Sequence, residues 1–241
     1  MMVIYRPIKK WLIPLLAVIL GLSIGLSFFP SSQEAHYNSW LKLLDDVSLD
    51  DYQVESTYYF DDEIALISEG FWSEDISKYS MSIPVSDDTQ FSFDIYLEGE
   101  QLFIDSGGVW RQTTSSHTFI NEMSPLDHPF AWTKDILAEA DEIHYEKQGE
   151  ITTFVAVFHS FTNYDFLGYL LIDQLETTVT MTFDKNEAQS LLINMKPEKH
   201  GKVGIFEKYP EVLKYDLHFF ILVDQEFPSI PDIAREAEML D

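Results

Sequence analysis

The chain contains no cysteine, and its fifteen lysines and arginines stand against forty-one aspartates and glutamates in 241 residues. Without cysteine there is no disulfide framework, no lipid-modified thiol to hold the protein to a membrane and no thiolate nucleophile. Scarcity of positive charge, with a formal net charge of −26, excludes nucleic acid as a partner, because a phosphate backbone would be repelled. Partners that dock electrostatically should be basic, so a basic envelope protein is the protein partner that the charge selects. With only ten glycines, there is no glycine-rich phosphate loop. Disorder is excluded in turn by a content of 46% hydrophobic and 15% aromatic residues.

What the chain does have is one long hydrophobic run. Residues 11–29 carry no charge and follow Arg6, Lys9 and Lys10. At about 1.5 Å per helical residue the run spans roughly 28 Å, enough for the hydrocarbon core of a bilayer. The basic residues place 1–10 in the cytoplasm. Two readings are open: a retained transmembrane anchor, or a signal peptide removed on export. Gly25 and Ser27 supply small residues for cleavage, whereas Phe28, Phe29 and Pro30 disfavour it. Both readings put the acidic remainder outside the cytoplasm, with residues 30–33 as a stalk and 34–241 as one domain.

Within that domain the apolar spacing is first helical, with Tyr37, Trp40, Leu41 and Leu44 on one face over 34–47. Then the period drops to two. Val54, Ser56, Tyr58 and Phe60 share one side of a strand, and Phe91, Phe93, Ile95 and Leu97 alternate with Ser92, Asp94, Tyr96 and Glu98. Gly99 and the pair Gly107-Gly108 mark hairpin turns. A second helix is expected from Pro129, with Phe130, Leu137, Ala140 and Ile143 on one face and Trp132 and Ile136 flanking. Strands resume at 142–147 and 151–158. The segment 164–175 reads as a further short helix. Val179, Met181 and Phe183 alternate next, then Leu191, Ile193 and Met195, then Leu217, Phe219, Ile221 and Val223; a short helix closes the chain.

The fold class that follows is α+β: a strongly curved antiparallel sheet, a half-barrel of about eleven strands, with covering helices and one N-terminal transmembrane helix. A sheet that long must curl. Phe91, Phe93, Ile95, Val179, Met181, Phe183, Phe219 and Ile221 are expected on its inner face, with Phe130, Trp132 and Leu137 closing over them. These are the candidate ligand-binding residues. The space between is either filled or open to an apolar ligand, and the pattern does not choose.

Three stretches resemble the LolA-like lipoprotein-carrier superfamily, including the LppX-type lipoproteins of Gram-positive envelopes. They are Phe93-Asp-Ile-Tyr-Leu-Glu-Gly-Glu-Gln-Leu-Phe-Ile-Asp-Ser-Gly-Gly-Val-Trp110, the helix-to-hairpin passage 136–158, and Ile230-Pro-Asp-Ile-Ala. The resemblance implies a half-barrel that holds a lipid or lipoprotein acyl chain between sheet and helices. This chain departs from those carriers in having no lipidated cysteine, and a retained membrane helix would stop it from diffusing as a shuttle.

Signs of catalysis are few. Asp105-Ser106-Gly107-Gly108 matches a protease nucleophile loop in part, but only His36 precedes it, so a hairpin is expected there. The seven histidines show no metal-site spacing, and the acidic doublets lack a calcium-loop pattern. A non-enzyme with no cofactor and no metal is the expectation.

Overall fold

The computed structural model describes residues 31–86, 89–114, 126–159, 164–166, 169–171, 174–197, 210–222 and 229–240, together with Leu15 and Val18. The hydrophobic run at 11–29 lies outside the described residues except for those two, which are helical and exposed. No helix among the described residues is long and apolar enough to cross a membrane. Phe161 and Val223 also lie outside them.

Helix α1 (Ser32–Val47) starts two residues before its apolar pattern does, because Ser31 caps it: the Glu34 amide donates to Ser31 Oγ at 3.1 Å. Ser32 and Gln33 are therefore helical. Its buried stripe is Trp40, Leu44 and Val47. Six strands follow: β1 (Tyr52–Phe60), β2 (Glu63–Trp72), β3 (Ile76–Ser86), β4 (Thr89–Glu98), β5 (Gln101–Ser106) and β6 (Val109–Thr114). The expected turns join them. Gly99, Gly107 and Gly108 have φ of 56°, 62° and 86°, and the Gly108 amide donates to Asp105 Oδ1 at 2.7 Å. The partial protease motif is a hairpin.

Helix α2 (Pro129–Leu137) interrupts the sheet, opening on proline where a missing N–H costs nothing. Its start is hung from the sheet: Trp72 Nε1 donates to the Asp127 carbonyl and the Tyr79 hydroxyl to the Leu126 carbonyl, each at 2.9 Å. Strands β7 (Glu142–Gln148) and β8 (Ile151–Phe158) come next. The expected helix at 164–175 is not formed; β9 (Tyr164–Phe166) and β10 (Tyr169–Leu171) make a two-stranded antiparallel hairpin. Aromatic and β-branched residues favour strand over helix, and Gly168 interrupts the helical pattern. The chain continues through β11 (Gln174–Asp184), β12 (Glu187–Pro197), β13 (Leu213–Ile221), α3 (Asp232–Arg235) and β14 (Glu238–Met239).

The main sheet has twelve strands, ordered β14-β6-β5-β4-β3-β2-β1-β13-β12-β11-β8-β7. All its pairings are antiparallel except β14 with β6, and its two ends do not meet. Laid flat, such a sheet would be about 53 Å wide at ~4.8 Å per strand, while the sixteen-residue α1 is about 24 Å long. One contiguous core nevertheless runs from Leu102 of β5 to Phe154 and Phe158 of β8. The sheet covers itself by curving, and an open half-barrel results.

The far end is finished on the opposite face. Tyr96 and Phe103, which alternate with the inward Ile95, Leu97 and Leu102, bury themselves with Ile230 and Ala234 of the C-terminal segment. Arg235 holds Glu98 through two bonds of 2.6 and 2.8 Å.

Candidate ligand cavities

The inner face is built by period-two alternation in register. Tyr52 stands opposite Trp72, Val179 opposite Ala156 and Ile193, and Met181 opposite Phe154 and Leu191. Under the start of α2, Phe130 meets Trp72, Tyr52 and Phe219 at ring separations of 5.0, 5.5 and 5.2 Å. In the middle of this apolar face sits a short polar chain: Tyr215 donates to Ser56 at 3.2 Å, and Ser56 bonds to Ser68. Burial pushes the Tyr79 and Tyr215 phenols well above their ordinary range, so both stay neutral donors.

The sequence-predicted site residues fall into three groups. Ile95, Phe130, Leu137, Val179, Met181, Phe183 and Phe219 are buried in the core, packed against one another. Phe93, Trp132 and Ile221 are partly buried at its border. Phe91, expected to face inward with them, is 50% exposed. It lies at the outer end of β4 opposite Ile83, which is also exposed, beyond the reach of the covering layer.

Two grooves open to solvent lie at the rim of this core, one on each flank of α1 where the helix crosses the edge strand β7. Trp40 stacks on Phe154 of β8 at 5.2 Å, and His36 stacks on Tyr145 at 5.3 Å with Nδ1 3.4 Å from the Ile143 carbonyl. These contacts dock the helix and separate the two spaces. The first, about 450 Å³, has Tyr37, Leu137, Ala138, Ala140 and Ile143 as apolar walls, with Ser31, Gln33 and Glu34 at its polar margin. The second, about 370 Å³, lies between the other flank of α1 and β7–β8 and is lined chiefly by polar side chains, among them His36, Lys42 and Lys147.

Of the expected residues, Leu137 alone lines either space, the first, and none lines the second. Tyr37, Ala140 and Ile143 had been placed on apolar helical faces by their spacing, a signal for burial and not for a cavity wall. Nothing in the local sequence marks Lys42 and Lys147. Ser39, three residues before Lys42, donates its hydroxyl proton to the Ala35 carbonyl at 2.8 Å, so it is not poised as a nucleophile. Among the described residues no three side chains of histidine, aspartate or glutamate gather as a metal site.

No protein-family model matches the chain, and no curated protein does. Among solved structures it is similar to LprF from Mycobacterium bovis, at 8% identity, 80% of this chain, 97% of that chain and a TM-score of 0.40. It is also similar to a LolA superfamily protein from Nitrosomonas europaea, at 10% identity, 81% of this chain, 95% of that chain and a TM-score of 0.32. Both superpositions are loose, and neither bears on what this chain binds.

Proposed function

We propose that this protein is a membrane-anchored, extracytoplasmic binding protein for a lipid or another apolar ligand, with the open groove between α1, α2 and β7, walled mainly by apolar side chains, as its site. The observation that carries this reading is the 450 Å³ space walled by Tyr37, Leu137, Ala138, Ala140 and Ile143. A space of several hundred Å³ suits a small ligand or part of a chain. Binding would rest on desolvation at about 0.8 kcal/mol per methylene, so a ten-carbon chain could contribute about 8 kcal/mol before entropy costs. Ser31 at the cavity margin is two residues from the end of the hydrophobic run. With ~3.8 Å between successive Cα atoms, the opening would sit within about 8 Å of the anchor's end, close to the lipid source. No catalytic residue belongs to this reading.

The test is native mass spectrometry of the full chain purified from cells in mild detergent. A bound species that disappears on organic extraction, and that Ala140→Trp prevents from binding by filling the space, is the expected result. A bare polypeptide mass in every preparation would reject it. A second reading, an envelope interaction module without ligand, is favoured by one observation: the expected inner residues Ile95, Val179, Met181 and Phe183 fill the interior with no exposed surface. That reading predicts the bare mass, together with a co-purifying basic partner protein.

A further inference from the structure

The cations of this chain are few, and among the described residues most are taken. Of the nine lysines and arginines among the described residues, seven hold a carboxylate partner, from Lys134 with Asp45 at 2.6 Å to Lys78 with Asp94 at 3.9 Å. Lys42 and Lys147 are the two that hold none among the described residues. Both line the same 370 Å³ cavity, on opposite walls, one from α1 and one from β7. No aspartate or glutamate lies on those walls. In a chain with 41 acidic residues, two unpaired lysines converging on a carboxylate-free space is the reverse of what composition would supply.

We propose that this cavity binds the phosphate group of a phosphate ester. The donors suit it. Two lysines line the space from different elements, and the side chains of Tyr145 and Thr152 share its walls, as do Ser39, whose hydroxyl proton is held by the Ala35 carbonyl, and His36, whose Nδ1 is turned to the Ile143 carbonyl. Lysine serves as a point-charge partner for phosphate, and charge-assisted bonds are about twice as strong as neutral ones. The net charge of −26 that repels an extended phosphate backbone does not exclude a single phosphate, because the screening length is about 8 Å at physiological salt and the nearest groups set the potential over so small a ligand. Of the acids close in sequence to the wall residues, two are turned away or engaged. Glu146 alternates to the other face of β7, where Gln148 donates to it at 2.6 Å, and Glu150 pairs with Lys185. Asp46, one turn beyond Lys42, is not on the walls. The volume exceeds what a bare phosphate needs and leaves room for the organic part of an ester, with the Tyr145 ring as an apolar wall. This site is separate from the apolar cavity and does not depend on that cavity being occupied.

Such a phosphate could belong to a soluble ester or to a lipid headgroup, and two titrations separate the sources. The full chain in nonionic detergent is titrated calorimetrically with glycerol 3-phosphate. A parallel sample receives water-soluble dihexanoyl phosphatidylglycerol, with dihexanoyl phosphatidylcholine as the zwitterionic comparison. Saturable binding that Lys42→Gln/Lys147→Gln weakens at least about tenfold, and Lys134→Gln leaves unchanged, is expected in one arm or both. Glycerol phosphate binding identifies a soluble ester as sufficient; binding confined to the anionic lipid identifies a headgroup. Both lysines are on the exposed surface, so a thermal melt matching the wild type verifies that the double variant is folded. Lack of saturation in both arms, or equal affinity in the wild type and the double variant, would overturn the proposal.

Discussion

Gly70 lies in β2 beneath the side chain of Tyr79, and its missing Cβ is what lets β3 sit where it does. A Cβ there would stand 1.9 Å from the Lys78 carbonyl oxygen and 2.7 Å from Tyr79. Backbone atoms cannot yield that far, so Gly70→Ala should destabilise the fold by roughly 2–4 kcal/mol, read as a lower urea midpoint. Tyr79 in turn holds the Leu126 carbonyl, so the same change should loosen the entry to α2. The Tyr215–Ser56–Ser68 chain presents a different kind of residue effect. Tyr215→Phe removes a buried donor and should cost about 1–2 kcal/mol, while Tyr215→Phe with Ser56→Ala should cost less than the sum of the two. A double-mutant cycle by chemical denaturation measures this coupling; strict additivity would mean that the hydroxyls do not act together.

At the scale of elements, two pieces are held by few contacts and should respond separately. Helix α1 begins on the Ser31 cap, and Ser31→Ala should cost about 1 kcal/mol while leaving the sheet intact. Amide exchange in residues 32–37 should rise with no change in β1 or β13. The C-terminal segment is clamped by Arg235 on Glu98, whose hydrogen bonds hold the Glu98 carboxyl below its ordinary value near 4.5. A released segment takes up the proton first, so the clamp is at full strength above pH 4.5 and is lost as pH falls through the depressed value. Trp110, packed on Tyr96 at 5.6 Å beside this segment, should report the release by fluorescence, and Glu98→Gln should abolish the pH dependence. An unchanged profile in Glu98→Gln would assign the transition to another group.

For the whole molecule the central question is which side of a membrane it occupies. The lack of any native cysteine gives a clean background for labelling. Ser229→Cys, at the start of the C-terminal segment on the described surface, should react in intact cells with a membrane-impermeant maleimide. Reaction only after the cells are broken would place the domain inside and remove the argument for a lipid source near Ser31. The strongly negative surface also predicts that any protein partner is basic and that its association weakens as salt is raised.

Much of the fold was legible because side-chain direction is a local property. Alternation at period two placed Ile95, Val179, Met181 and Phe219 on one face of their strands, and helical spacing placed Trp40 and Leu44 on another buried stripe. The hairpins at Gly99 and Gly107-Gly108 followed from positions that need positive φ. The segment at 164–175 was misread because a short apolar run with aromatic residues fits either period. Phe91 shares the face of Ile95 and Leu97 by alternation yet is half exposed, because alternation tells which face a residue takes but not how far along the strand the covering layer extends.

The chain's own pattern thus determined strands, turns and the faces of strands and helices, all consequences of neighbours within a few residues. Where α1 crosses β7 was decided only in three dimensions, by contacts such as His36 with Ile143, 107 residues away. That crossing opens an apolar space on one flank and gathers two unpartnered lysines on the other. Burial of Trp40 against Phe154 sets it, and no local periodicity encodes which distant strand a helix will choose.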